Sequence, residues 1–159
     1  MKSFLLIYLL FFVSGLCLAQ ENTVSGDTAF YDFVPEMGPG ETTFHHHEWG
    51  SENITYLGLM DWKSPTGKDL KIKVVTTYQK ITKANGFNDR SLLAIITSTN
   101  KLVKMYDMVK RQNLPNAIEN NKLIFHSAKD DHIESELPRK FGERFCVTGL
   151  TCFNEYSED

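Results

Sequence analysis

Five histidines are the residues in this chain best suited to chemistry, and three of them are consecutive, in Phe44-His45-His46-His47-Glu48-Trp49. On an extended strand, successive side chains point to opposite faces. His45 and His47 then share one side, while His46 and Glu48 share the other. Two imidazoles on one side can offer nitrogen donors to a divalent transition metal, with a third ligand drawn from elsewhere. Glu52, His126 and His132 carry suitable donors, and the candidate metal set is His45, His47, Glu52 and His126. The competing reading is a polar strand whose histidines are solvated or hydrogen-bonded to neighbours.

The stretch from Gly40 through His45, His47 and Glu52 to Gly58 resembles the first metal motif of the cupins, in which two histidines one residue apart precede a glutamate. Both glycine spacings are one residue short, and no second motif with a glycine, a proline and a later histidine surrounds His126. The chain is therefore not assigned to that family.

Other chemistry is sparse. There is no Gly-x-Ser-x-Gly elbow, no phosphate-binding glycine loop and no His-Glu-x-x-His. Cys146 and Cys152 lie symmetrically about Gly149, so a hairpin there sets them opposite each other and favours a disulfide. Their spacing matches neither a redox pair nor a zinc knuckle. Asn53-Ile54-Thr55 is a glycosylation sequon, which has meaning only in a eukaryotic host.

The start of the chain reads as an export signal. Lys2 is followed by an unbroken apolar run, Phe4 to Val13, and by Cys17-Leu18-Ala19, which puts small residues at the first and third positions before Gln20. That apolar run is shorter than the ~20 residues that cross a bilayer, so residues 1–19 are expected to be a cleaved signal peptide. No other segment reads as a membrane span. A secreted or periplasmic location follows, and it agrees with a cysteine pair in an oxidising compartment.

Charge falls into three blocks. Residues 20–62 hold eight acidic side chains and no Lys or Arg, residues 63–129 hold thirteen Lys and Arg against four acids, and residues 130–159 hold eight acids against three bases. Acidic ends packing over a basic middle would account for this. A basic face kept for an anionic ligand, carried by Lys71 and Lys73, is the alternative. The net charge of −3 and the export signal argue against nucleic acid as a partner.

The elements that must position these groups follow from periodicity. Residues 20–43 carry Gly26, Pro35, Gly38, Pro39 and Gly40 among scattered acids and read as an extended arm in which only Phe30, Tyr31, Phe33 and Val34 look able to dock. Residues 44–159 read as a single β-rich domain. Strands are expected at 54–60, ending in the turn from Asp61 to Gly67, and through Leu70, Ile72, Val74 and Tyr78, with Lys71 and Lys73 on the opposite face. Asn85-Gly86 marks a hairpin, Leu92 to Ile96 a central strand, and Lys122 to His126 a last strand after Asn120-Asn121. Leu102, Met105, Tyr106 and Val109 recur at three to four residues, which predicts an amphipathic helix over about 99–112 halted before Pro115. The expected fold is α+β, a mainly antiparallel sheet with that helix across one face. With no catalytic signature, the chain reads as a small non-catalytic binding protein for an unknown protein or small ligand. A metal-binding protein or metal-dependent enzyme, and a secreted inhibitor or immunity-type protein, are the alternatives.

Overall fold

A computed structural model describes residues 34–126 and 131–157. The expected signal peptide, and the arm before Val34, lie outside the described residues. The chain forms ten strands: β1 (Thr42–His47), β2 (Gly50–Lys63), β3 (Asp69–Lys83), β4 (Gly86–Thr97), β5 (Leu102–Asp107), β6 (Ala117–Glu119), β7 (Lys122–His126), β8 (His132–Ser135), β9 (Arg144–Val147) and β10 (Thr151–Glu155). Seven form one antiparallel sheet in the order β1-β2-β3-β4-β5-β10-β9, and three form a second in the order β6-β7-β8.

The hairpins sit where turn chemistry allows them. Gly67 (φ 82°) closes the β2–β3 turn, with its N–H donating to Ser64 O at 2.8 Å. Asn120 and Asn121, at φ 49° and 62°, close β6–β7, because asparagine tolerates the left-handed region better than other non-glycine residues. Leu92 to Ile96 lies in β4, the middle strand of the large sheet, and all five of these side chains are buried. Cys146 and Cys152 are direct cross-strand partners on β9 and β10 and are bridged.

The central part of the large sheet is covered on both faces. On one, Ile72, Val74, Leu93, Ile95 and Tyr106 pack with Leu123 and Phe125 of the second sheet and with Phe145 and Phe153. On the other, Val34 and Met37 close over Ile54, Tyr56, Val75, Ala94 and Ile96. Val34 is thus a docking residue, as expected, and it lies in a short 3-10 turn, Val34–Glu36. A bulge between Tyr56 and Gly58 changes which side of β2 the even-numbered residues face. Ile54 and Tyr56 point to the Val34 side, whereas Met60 and Trp62 point to the second sheet.

The helix expected over 99–112 is not formed, and no α-helix occurs among the described residues. The segment is β5 instead, hydrogen-bonded between β4 and β10, followed by a 3-10 turn at Arg111–Asn113. Tyr106 fills the main core and Met105 packs on the Val34 cluster, so adjacent apolar residues serve opposite faces of one strand. A strand that sends apolar residues to both faces shows no polar alternation, and its run can imitate a helical stripe even where, as at Leu102 and Val103, the side chains stay exposed. The fold is therefore antiparallel β rather than α+β. The strand expected at 54–60 is also longer, since β2 runs through Asp61 and Trp62 to Lys63.

Candidate functional site

The histidine run forms β1, an edge strand joined to β2 by the two-residue turn Glu48-Trp49. Gly50 permits that turn. Its φ is 144°, and a Cβ there would stand 1.9 Å from Lys80 O on β3, so only glycine fits. Thr82 N–H donates to Trp49 O at 2.8 Å, which clamps the turn against β3.

Alternation then sorts the side chains as the sequence implies. His45 lies opposite Glu52, and both share the Val34 side of the sheet with His47. His46 faces the other way, edge-on to the Phe44 ring at 4.7 Å. His47 Nε2 lies 2.7 Å from Glu52 Oε1, and Gln79 Nε2 donates to Glu52 Oε2 at 3.3 Å. Glu52 is only 3 % exposed, so these partners satisfy a carboxylate that would otherwise be buried alone. The His47 ring stacks on Trp49 at 4.5 Å, and the near-parallel His45 ring follows at 6.2 Å, with His45 Nε2 3.2 Å from Thr43 Oγ1.

His126 stands elsewhere, on β7 of the second sheet. It pairs across strands with His132, ring centroids 6.3 Å apart. Among the described residues, no group of three or more His, Cys, Asp or Glu side chains is arranged to hold a metal ion. His45, His47 and Glu52 come together, and His126 does not join them.

Lys71 and Lys73 occupy the face opposite Ile72 and Val74, as alternation requires. Each already has a partner: Lys71 Nζ reaches Asp61 Oδ1 at 2.7 Å, and Lys73 Nζ donates to Asn100 Oδ1 at 2.6 Å. Tyr56 and Trp62 belong to the packing of the two cores, Trp62 donating its indole N–H to Pro138 O at 2.8 Å. Tyr78 donates to Asp89 at 2.8 Å beneath the Arg111 guanidinium, and that hydrogen bond, with burial second, raises its phenol above the usual range.

The outer part of the long hairpin projects past both cores. Lys80, Thr82 and Lys83 of β3, and Gly86 to Asp89 of β4, are exposed on both faces. Two large aromatic side chains stand open at this end beside Thr82, Trp49 at 39 % and Phe87 at 69 % exposure, and Phe44, 55 % exposed, stands open further along the β1 edge in the row of Asn53 and Tyr78. Their sequence signal is that Phe44 and Phe87 sit among polar residues, outside any apolar alternation. An open concavity of about 480 Å³ lies against the second sheet, lined by Arg111, Gln112, Leu114, Asn116 and His126. Comparison with known proteins finds no matching family model, no matching curated protein and no matching solved structure. No helix among the described residues is long and apolar enough to cross a membrane.

Proposed function

We propose that this chain is an exported, non-catalytic binding protein whose partner docks on the projecting end of the long strands. The observation that carries the reading is the exposure of Trp49 and Phe87 at this end, with Phe44 open on the adjoining β1 edge, where no core covers them. Exposed aromatic side chains with polar neighbours mark interaction surfaces, because they bury a large area at small entropic loss. The Cys146–Cys152 bridge fits an oxidising, secreted or periplasmic, setting. Capture of a partner from the extracellular or periplasmic fraction by the wild-type protein, and its loss with Phe87→Ser or Trp49→Ser, is the expected result. Capture that survives both substitutions would place the docking surface elsewhere.

A second reading rests on the shared face of His45, His47 and Glu52: a metal-binding protein, or a metal-dependent enzyme in which the metal activates bound water. Single alanine variants test it. Zinc, copper or nickel affinity should fall at positions 45 and 47 but not at 46, and metal at a hundredfold excess over its dissociation constant should stabilise the fold by about 2.7 kcal/mol. Equal small losses at all three positions would show a loose chelating tract instead.

A further inference from the structure

We infer that the outer edge of β1 pairs, antiparallel and about a two-fold axis at Phe44, with the same edge of a second copy of this chain. The inference rests on reading this end of the sheet as a docking surface and names the partner for its edge. Tyr56 N–H donates to Glu41 O at 3.0 Å, so the pair 41/56 is hydrogen-bonded, and alternation makes 43/54, 45/52 and 47/50 hydrogen-bonded as well. The main-chain groups of Thr42, Phe44 and His46 therefore point away from β2. Among the described residues no strand pairs with that side.

Edge strands are ordinarily guarded by Lys, Pro, bulges or shortness. The opposite edge of the same sheet, β9, is four residues long, begins with Arg144 and is tied to β10 by the disulfide. β1 is six residues, Thr-Thr-Phe-His-His-His, with no bulge against β2, no proline and no acidic, Lys or Arg side chain. It is also self-complementary in one register. With Phe44 opposite Phe44 of the second copy, Thr42, Phe44 and His46 each meet an outward-pointing residue, and all three exchange both main-chain hydrogen bonds. The same register sets His46 opposite Thr42, His45 opposite Thr43 and His47 opposite Glu41, so no histidine faces a histidine and an acid faces an imidazole on each side of the axis. It also covers Phe44, which is 55 % exposed. Sliding by one hydrogen-bonded step loses two of the six bonds within β1, and in one direction it puts His45 against His45. Isologous closure of this kind stops at two copies.

A single six-residue strand makes a small interface, below the roughly 1,200 Å² at which stable complexes begin, so the dimer should exchange with monomer. Sedimentation or light scattering of the full chain over rising concentration should show the mass climbing toward twice the monomer and no further. Phe44→Cys should oxidise to a covalent dimer, because directly opposed hydrogen-bonded residues have Cα atoms about 5.5 Å apart, within disulfide reach. Phe87→Cys, the more exposed site, should stay monomeric under the same oxidation. Phe44→Lys sets two ammonium groups against each other and should weaken association about tenfold or more, a change of about 1.4 kcal/mol. Should that variant misfold, His46→Pro removes an outward N–H without disturbing the β1–β2 bonds, and it should also be monomeric. A protein monomeric at every concentration, equal cross-linking at positions 44 and 87, growth beyond two copies, or an undiminished dimer in His46→Pro would each overturn the inference. A monomer that still captured a partner through Phe87 would leave the binding reading standing while removing this one.

Discussion

His46 and His47 are neighbours in sequence with different work to do. His47 holds the buried Glu52 carboxylate, whereas His46 faces solvent beside Phe44. Removing His47 leaves Glu52 with Gln79 alone, so His47→Ala should lower stability by about 1–3 kcal/mol. His46→Ala should stay within about 0.5 kcal/mol of wild type. Denaturant unfolding of the two variants measures the contrast, and equal losses would mean the His47–Glu52 contact contributes nothing. Tyr106 offers a second test at this scale. Burial, with the Glu155 carboxylate second, pushes its phenol up to about 12, above the roughly 10 of an unfolded chain. The folded state holds this proton more tightly, so its contribution is complete below about pH 10 and is lost as pH rises toward the folded value. Tyr106→Phe should flatten the fall in stability across that alkaline window when unfolding midpoints are compared with wild type. It should also lose some stability at neutral pH, because the hydroxyl donates to Gly142 O at 3.1 Å.

At the scale of elements, β9 and β10 complete the edge of the large sheet, and their bridge closes a small loop around Gly149. A ring this short removes little freedom from the unfolded chain, so reduction should cost about 2 kcal/mol and leave the fold intact. Unfolding with and without reductant, read against intact mass to confirm the bridge, checks this. Global unfolding on reduction would show that the hairpin carries more of the main core than Phe145, Val147 and Phe153 suggest. β1 is the opposite case, an edge strand with no covalent support whose place is set by Gly50 and by the Thr82–Trp49 hydrogen bond.

Across the whole molecule the large sheet separates two cores, and the segment that closes the smaller one comes from the acidic front of the chain. Val34 is fully buried and Met37 nearly so against Ile54, Val75 and Ile96. Met37→Ala should therefore cost about 2–4 kcal/mol in equilibrium unfolding, far more than loosening an arm held only by surface charge pairs, each worth about 0–1 kcal/mol. A loss within that smaller range would make the segment a tether rather than part of the core.

The sequence by itself determined whatever is encoded locally. Alternation placed Ile72 and Val74 opposite Lys71 and Lys73, turn residues located the hairpins around Asn85 and Asn120-Asn121, and the symmetric cysteines announced their own pairing. The same period of two put His45 and His47 on one face and His46 on the other, without naming their partners. Tertiary structure decided what depends on neighbours distant in sequence. Leu102 to Asp107 became a strand because β4 along its length, and β10 at Tyr106 and Asp107, supplied its hydrogen bonds, and its apolar residues go to both faces, a situation in which strand and helix patterns converge. The bulge after Tyr56 turned one run of even-numbered apolar residues toward two different cores, although nothing in their spacing changes there. Register, finally, placed Glu52 beneath His47 and left His126 on another sheet, since which strands pair and at what offset is a property of the closed sheet rather than of any single segment.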